Sequence, residues 1–284
     1  MEFFQTPAKA NRWCIDQRNT GKIIGMVPTM GALHEGHLEL VKRAVKENDI
    51  CVVSIFVNPL QFNEEKDFSA YPRNLEQDRI ALKNCHCAMA FTGSLDSFFP
   101  RIDRSKITLL QPGAEANDLE GAHRPGHFAG VKTIVNKLFT TVRPHNAYFG
   151  EKDFQQTLVI RKLAKETSAP NIIVCPTHRE KNGLAMSSRN ERLTSSQRQQ
   201  ASVIYRALLA ALSEWRKGVR GVKELEKAMV DVLVTETNLK VEYATVRDPE
   251  NWQEKNFNDS ATRARALIAV TLGNVRLIDN MVLS

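Results

Sequence analysis

The chain contains 284 residues, of which 42% are hydrophobic and 25% are charged, and its formal net charge is +7. This is the composition of an ordinary globular protein, which excludes disordered chains, collagens and disulfide scaffolds, and no apolar run reaches the roughly 18 residues that a membrane span needs. The basic excess fits either a nucleic acid or a small anionic substrate, but the basic residues form no continuous block, so we expect neither a nucleic-acid nor a membrane partner.

The first two thirds of the chain alternate between short β-branched runs and longer helical patterns. These patterns predict strands over 22–28, 50–57, 87–91, 107–110, 146–149 and 171–174, and helices over 38–48, 75–84, 131–142 and 154–167. Uncharged strands that alternate with helices are typical of a parallel sheet buried on both sides. The fold class is therefore α/β, a Rossmann-like parallel sheet with helices on both faces.

The pattern changes near residue 193. A capping box, Thr194-Ser195-Ser196-Gln197, predicts the start of a helix of about twenty residues, and a second helix is predicted over 222–235. Strands are predicted over 241–247, 266–272 and 275–279, the last two around the hairpin signal Gly273-Asn274. We expect two domains, a Rossmann-like domain over 1–184 and a smaller α+β C-terminal domain over 185–284.

The five cysteines are spread widely along the chain, which is typical of a reduced, cytoplasmic protein. The first residues lack the basic and apolar segments of a secretion signal. The run Cys85-His86-Cys87 does not have the spacing of common zinc sites, so a helix end leading into a strand is the better interpretation.

The segment Pro28-Thr29-Met30-Gly31-Ala32-Leu33-His34-Glu35-Gly36-His37 lies between a predicted strand and a predicted helix. Its glycines permit a sharp turn and a close approach to the backbone, and the helix N-terminus offers N–H groups to an anion. His34 and His37 fall on the same side of the first helical turn. A phosphate site is favoured over a zinc pair or two surface histidines.

Polar residues follow two further predicted strands and also precede a predicted helix. Asn58 and Gln61 are neutral groups that can orient hydroxyls and carboxylates, although an Asn-Pro turn also explains them. Lys152 opens a helix and can follow phosphate oxygens, although a solvated helix start is the alternative. Arg124 and His127 supply donors beside another helix start, or lie in a solvated loop.

The run Gly183-Leu184-Ala185-Met186-Ser187-Ser188-Arg189-Asn190 is rich in hydroxyl and guanidinium donors. Such a glycine-started loop suits a mobile clamp on the β- and γ-phosphates of a nucleotide. A polar linker between two domains is the alternative interpretation. The segment can also be both a linker and a clamp, if the linker closes when a nucleotide binds.

Together these motifs show that the sequence resembles a known family of enzymes. His34-Glu35-Gly36-His37 resembles the His-x-Gly-His signature of the nucleotidyltransferase superfamily, and the longer string from Pro28 resembles the pantoate–β-alanine ligase family. The motifs occur in family order over about residues 24–192. The resemblance implies that ATP, pantoate and β-alanine give pantothenate, AMP and pyrophosphate through a pantoyl adenylate, with Mg²⁺, in a homodimer. Another adenylyl-transferring enzyme of the same superfamily is the alternative.

The resemblance also implies roles for individual residues. The ATP-binding residues it implies are Met30, Gly31, Ala32, Leu33, His34, Glu35, Gly36, His37, Gly150, Glu151, Lys152, Asp153, His178, Met186, Ser187, Ser188 and Arg189. The catalytic residues among them are His37, His34, Lys152, Ser187, Ser188 and Arg189. Pantoate or β-alanine is assigned to Gln61, Gln156, Asn58, Arg124 and His127, and the metal to Asp78. His178 stands where the family usually has an apolar residue, so only a backbone contact with adenine is carried over, and the C-terminal domain is expected to close over ATP.

Overall fold

The computed structural model describes residues 1–252 and 262–284. The chain divides into two compact units, Met1–Pro176 and Thr177–Ser284. No helix within the described ranges is long and apolar enough to cross a lipid bilayer.

The first unit is a six-stranded parallel sheet covered by helices. Its strands are β1 (Glu2–Phe4), β2 (Ile24–Thr29), β3 (Ile50–Ile55), β4 (Met89–Thr92), β5 (Asn146–Gly150) and β6 (Asn171–Cys175). Its helices are α1 (Pro7–Asn19), α2 (Glu35–Glu47), α3 (Glu65–Ser69), α4 (Leu75–Asn84), α5 (Leu95–Phe98), α6 (Glu120–His123), α7 (His127–Val142) and α8 (Phe154–Thr167). The strand order is β1-β4-β3-β2-β5-β6, and all the pairs are parallel.

Successive residues of a strand point to opposite faces of the sheet, and each face is packed against helices. In β2, Met26 belongs to the core formed with α1, α7 and α8, whereas Val27 belongs to the core formed with α2 and α4. The predicted Rossmann-like sheet with helices on both faces is confirmed. The absence of charge in β3 is explained by its place inside this sheet, between β2 and β4.

The second unit packs helices on a three-stranded antiparallel sheet of order β7-β8-β9. Its elements are α9 (Ser195–Gln200), α10 (Val203–Arg216), α11 (Val222–Leu233), β7 (Leu239–Arg247), β8 (Ala264–Leu272) and β9 (Val275–Leu283). Its core joins α10 and α11 to β8 and β9, with Trp215, Leu225 and Ile268 almost fully buried. The predicted α+β character of this part of the chain, and its hairpin at Gly273-Asn274, are confirmed.

Two predictions about single elements are wrong. The run 107–110 forms no strand; its Ile107 and Leu110 pack on the core while the Leu110 amide donates to the Thr133 hydroxyl at 2.8 Å. The twenty-residue helix is broken between α9 and α10, where the Ser202 hydroxyl donates to the Gln199 carbonyl at 2.7 Å. In both places a side-chain hydroxyl pairs with a backbone group of the predicted element, from 23 residues away at Leu110 and from three residues away at Gln199.

Candidate active site at the carboxyl edge of the sheet

The strand order brings three of the sequence motifs to one edge of the sheet. β2 lies between β3 and β5, and all three strands are parallel. The segments that follow them carry residues 30–34, 56–62 and 151–153. Ligands of parallel α/β sheets bind at the carboxyl ends of the strands, where the strand order reverses, so this edge is the candidate active site.

The loop after β2 is held in a strained turn. Gly31 has a φ of 81° and Ala32 a φ of 50°, so two successive residues adopt the left-handed region. The Thr29 hydroxyl supports the turn, because it accepts from the Gly31 amide at 3.2 Å and donates to the Ser54 carbonyl at 2.7 Å. Left-handed backbone costs a residue with a Cβ roughly 1 kcal/mol, so the surrounding contacts must hold the turn.

Asp78, in the first turn of α4, provides the firmest of these contacts. Its Oδ2 accepts from the Ala32 amide at 3.0 Å and its Oδ1 accepts from the Leu33 amide at 2.8 Å. The side chain is buried, with 3% of its surface exposed. A carboxylate that accepts two backbone N–H groups makes charge-assisted hydrogen bonds, which are stronger than neutral ones. Asp78 therefore anchors the turn from a helix 45 residues away in sequence.

His34 and His37 open α2 as a stacked pair. Their ring centroids lie 4.0 Å apart, and the His34 amide donates to Nδ1 of His37 at 3.4 Å. Burial, and then the positive charge of Lys152, lower the pKa of His37 to about 4. His37 is therefore neutral at pH 7, with Nδ1 as an acceptor and Nε2 carrying the proton. Lys152 follows β5, the strand next to β2, so its charge lies on the same edge of the sheet as His37.

Lys152 lies in the short helix Glu151–Asp153 that follows β5. Its Nζ is 3.6 Å from Oδ1 of Asp153, and 19% of its side chain is exposed. Because its ammonium is partly exposed, Lys152 can reach an anionic ligand at this edge of the sheet.

The amide side chains after β3 form a small network. Asn58 is buried, and its Nδ2 donates to Oε1 of Gln61 at 3.0 Å and to the Gly130 carbonyl at 3.2 Å. Nε2 of Gln61 lies 3.1 Å from the sulfur of Met30. A Cβ on Gly130 would lie 2.0 Å from the Leu60 carbonyl, so only glycine lets α7 come this close. The network fixes Gln61 against the loop after β2.

Arg124 and His127 hold the same segment from the other side. Nδ1 of His127 is 2.8 Å from the Gln61 carbonyl, and an Arg124 nitrogen lies 3.1 Å from Nε2 of His127. Because a carbonyl only accepts and a guanidinium only donates, His127 carries its proton on Nδ1. Burial, and then the Arg124 charge, lower the pKa of His127 to about 3. The predicted solvated loop is therefore excluded for His127, which is buried.

The two glutamines of α8 have different surroundings. Gln156 is half-buried in the first turn of α8. Gln155 is buried; it accepts from the Glu120 amide at 3.0 Å and donates to the Glu115 and Asp118 carbonyls. The sequence motif contains Gln155, but sequence reasoning gave it no role because its partners lie 35 to 40 residues away. Gln155 fixes the loop that leads to Arg124.

Five of the predicted residues, from His178 to Arg189, belong to the second unit. The His178 carbonyl accepts from the Met186 amide at 3.0 Å, and Arg179 pairs with Ala185 in an antiparallel bridge. Arg179 donates to both carboxylate oxygens of the buried Asp279, at 2.5 and 3.1 Å, and lies over the Tyr205 ring at 4.4 Å. A hairpin locked to β9 therefore carries the segment that begins at Met186.

That segment ends in a capped turn of helix. Ser187 is the N-cap of the short helix Ser188–Arg192, and its hydroxyl accepts from the Arg189 amide at 3.2 Å. Asn190 donates to Oε1 of Glu180 at 2.9 Å and to the Ala185 carbonyl at 3.1 Å. The predicted hydroxyl and guanidinium donors thus lie on a capped turn of helix.

The described residues contain no group of three or more His, Cys, Asp or Glu side chains that is arranged to hold a metal ion. Both oxygens of Asp78 accept backbone amides. The side chains do not form a protein cage for Mg²⁺, an ion that proteins usually bind through one or two carboxylates together with substrate phosphates. Metal ligation by Asp78 stays a prediction.

Comparisons with known proteins agree with this site. The family model described as pantoate-beta-alanine ligase matches residues 2–282. The pantothenate synthetase of Rubrobacter xylanophilus is 44% identical over 280 residues, covering 96% of this chain and 94% of that protein. The pantothenate synthetase of Moorella thermoacetica is 40% identical over 284 residues, covering 100% of this chain and 99% of that protein.

Two solved structures have the same fold over nearly the whole chain. Pantothenate synthetase from Thermus thermophilus superposes with a TM-score of 0.89 at 38% identity, covering 99% of both chains. Pantoate-beta-alanine ligase from Francisella tularensis, complexed with beta-gamma ATP and beta-alanine, superposes with a TM-score of 0.78 at 36% identity, covering 99% of this chain and 97% of that one.

The chain is a Rossmann-like ligase. Its parallel sheet carries a histidine pair, a lysine and two amide side chains at the carboxyl edge, and solved ligase structures match nearly the whole chain. The predicted fold, family and ligase activity are confirmed. The chain belongs to the pantoate–β-alanine ligase family.

Proposed function

We propose that this chain condenses pantoate with β-alanine at the expense of ATP, through a pantoyl adenylate. The observation that carries the proposal is the placement of His37 and Lys152 after the neighbouring strands β2 and β5, with the amide network of Asn58 and Gln61 after β3 on the same edge of the sheet. Membership of the pantoate–β-alanine ligase family supports the choice of substrates.

In the first half-reaction, a carboxylate oxygen of pantoate bonds to the α-phosphorus of ATP while the bond from that phosphorus to the bridging oxygen breaks and pyrophosphate leaves. A carboxylate with an ordinary pKa near 4 is ionised at neutral pH, so the step needs no general base. It needs alignment and positive charge, because one anion attacks another. Lys152 supplies the charge, and His37 supplies a neutral N–H donor.

A neutral donor suits this role. Before ATP binds, burial and the charge of Lys152 lower the pKa of His37 to about 4, so the ring meets the nucleotide as a neutral N–H donor. Lys152 is then the charged group that can move with the phosphate during transfer. Mg²⁺ would enter on the phosphates of ATP, where it would neutralise oxygen charge.

Gln61 is prepared to bind pantoate. Its Oε1 is occupied by Asn58, while its Nε2 faces the sulfur of Met30, which is a weak acceptor. A hydroxyl or carboxylate oxygen is a stronger acceptor, so the Nε2 group gains by exchanging the sulfur for substrate. Gln156 is assigned to pantoate as well, on the family resemblance.

In the second half-reaction, the amine of β-alanine bonds to the carbonyl carbon of the adenylate, the C–O bond to phosphate breaks and AMP leaves. The amine, with a pKa near 10, must first lose a proton. His37 and His127, with pKa values of about 4 and 3, are too weak as bases to take it. We therefore propose that solvent takes this proton and that the half-reaction speeds up towards mildly alkaline pH.

The proposal extends to the second unit and to the setting of the enzyme. Ser187, Ser188 and Arg189 bind the β- and γ-phosphates, because their hydroxyl and guanidinium groups donate to phosphate oxygens. The chain acts as a cytoplasmic homodimer with a C-terminal domain over 185–284 that closes on ATP. The five free cysteines support a reducing compartment.

The test follows AMP release from ATP with Mg²⁺ while pantoate and β-alanine are each omitted in turn. AMP release that requires both substrates and matches pantothenate formed is the expected result. With pantoate alone, a single burst of pyrophosphate of about one per active site is expected from the adenylate. Absence of that burst, with full turnover when both substrates are present, would contradict the adenylate route.

A further inference from the structure

A cavity of about 990 Å³ lies at the edge of the sheet opposite the candidate active site. Pro144 and His145 precede β5, and Asn171 begins β6, so the cavity faces the amino ends of these strands. β5 has five residues, which separate the two edges by roughly 15 Å of strand. The cavity is therefore distinct from the loops that carry the reaction.

The walls of the cavity are cationic. Arg18, Arg143, Arg161 and Lys165 line it, and of the described residues around it none is an aspartate or glutamate. All four cationic residues are exposed. No salt bridge joins any of them to a carboxylate within the described parts of the chain. Four uncompensated positive charges around one concave surface make an electrostatic trap for an anion.

Helix dipoles explain only part of this charge. α1, α7 and α8 all end at the cavity, and cations near helix C-termini are stabilising. Arg18 has this role, because it donates to the Arg143 carbonyl at 2.6 Å. Arg161 lies in the middle of α8, six residues before its end, where the dipole effect has faded. Its position is thus not accounted for by capping.

The floor of the cavity is apolar. Phe139, Ala164, Pro170 and Ile172 contribute to it. A concave site with an apolar floor and a few polar groups at its rim is typical of small-molecule pockets, and the volume lies in their usual range of about 300–1,000 Å³.

We propose that this cavity binds a small organic anion, with an apolar body on the floor and a phosphate, sulfonate or carboxylate among Arg143, Arg161 and Lys165. Arg18, already held on the Arg143 carbonyl, forms a preorganised side of the site. The site is independent of the reaction, because none of these residues belongs to the loops at the carboxyl edge.

The test uses the full-length protein and 8-anilinonaphthalene-1-sulfonate, a probe with an apolar body and one anionic group. Fluorescence titration is carried out with ATP and pantoate both saturating, so that the candidate active site is occupied. One probe per chain is expected. The double variant Arg143→Glu, Arg161→Glu is expected to weaken its binding at least tenfold.

The matched control is Arg216→Glu, Lys223→Glu, which changes the net charge equally at two exposed positions of the second unit. It is expected to bind the probe within twofold of the parent protein. Equal weakening in both double variants, or an unchanged affinity in the first, would overturn the proposal.

A second variant tests the cavity without changing charge. Thr140, exposed at the rim on α7, is replaced by tryptophan to fill the space over the floor. Thr140→Trp is expected to weaken probe binding while leaving AMP formation unchanged, and unaltered probe affinity would count against the proposal. Sedimentation of each variant measures the number of subunits. A change in that number caused by Arg143→Glu, Arg161→Glu would show that this face is an interface between copies of the chain, and would overturn the proposal.

Discussion

Asp78→Asn separates two roles for the buried carboxylate of α4, an anchor for the loop after β2 and a ligand for a metal ion. The substitution keeps the size of the side chain and removes its charge. The amide oxygen can still accept from Leu33, but the amide nitrogen then faces the Ala32 N–H, donor against donor. With 3% of the side chain exposed, water cannot replace the lost bond.

Hydrogen bonds to charged groups contribute roughly 1.5–3 kcal/mol each, and here one is lost and the other weakened. We therefore expect Asp78→Asn to lower the free energy of unfolding by roughly 2–4 kcal/mol, measured by urea denaturation. Release of the turn should also raise the KM for ATP at least tenfold, which corresponds to about 1.4 kcal/mol of binding. The Mg²⁺ concentration required at fixed ATP should stay unchanged.

Glu76→Gln is the matched control, because Glu76 lies in the same helical turn but pairs with Arg79 at the exposed surface. Exposed ion pairs contribute about 0–1 kcal/mol, so this variant should keep parental stability and kinetics. An Asp78→Asn protein that is as stable as the parent, yet needs more Mg²⁺ at the same ATP concentration, would refute the anchor and identify a metal ligand.

Three further predictions concern other residues of the first unit. The pKa of His127 is about 3 in the folded protein and about 6.5 when unfolded, so its contribution to stability is complete above pH 6.5 and falls by about 1.4 kcal/mol per pH unit as the pH drops towards 3. In urea denaturation between pH 6.5 and 4, the stability of His127→Asn should therefore fall less steeply with decreasing pH than that of the parent protein. Identical pH dependence in the two proteins would disprove this role. Gly130→Ala places a methyl group 2.0 Å from the Leu60 carbonyl and should lower the free energy of unfolding, measured with urea, by at least about 3 kcal/mol. Gly150→Ala is the control and should leave stability unchanged, because no atom lies within 4 Å of the new methyl group. Equal stabilities of the two variants would contradict the close packing at Gly130. Lys152→Ala should slow pyrophosphate release in a single turnover by about 100-fold, because the lysine charge acts on the phosphates of ATP. The reaction of isolated adenylate with β-alanine should be nearly unchanged. Equal losses in both steps would argue against a role of Lys152 in adenylation.

The sequence predicts the sheet well because its strands are short uncharged runs that are buried on both faces. The helix over 75–84 and the helix over 154–167 are found at those bounds. β1 and α1 were not predicted. The buried residues of α1 are Pro7, Ala10 and Cys14, which are too small to produce a strong apolar period. Their burial depends on contacts with α5 and α7 that local pattern does not contain.

The candidate site was predictable as a set of loops but not as a set of contacts. Gln61, Lys152 and His37 are conspicuous in sequence because each follows a strand end. The groups that support the site loops are less visible: in the first unit Asp78 reaches Leu33 across 45 residues, and in the second unit Arg179 reaches Asp279 across 100. Such pairs are set by the tertiary fold, so a single sequence identifies the acting residues more readily than their supports.

The left-handed conformation of Ala32 makes the loop after β2 a place where flexibility can be altered without altering the stability of the fold. Glycine at this position would relieve roughly 1 kcal/mol of backbone strain. It would also add roughly the same amount of entropy to the unfolded chain, so the two effects nearly cancel. The side chain at residue 32 therefore governs how many conformations the substrate-free loop samples. A loop that samples more of them takes up more of the ATP-binding energy in becoming ordered, which leaves less to stabilise the transition state.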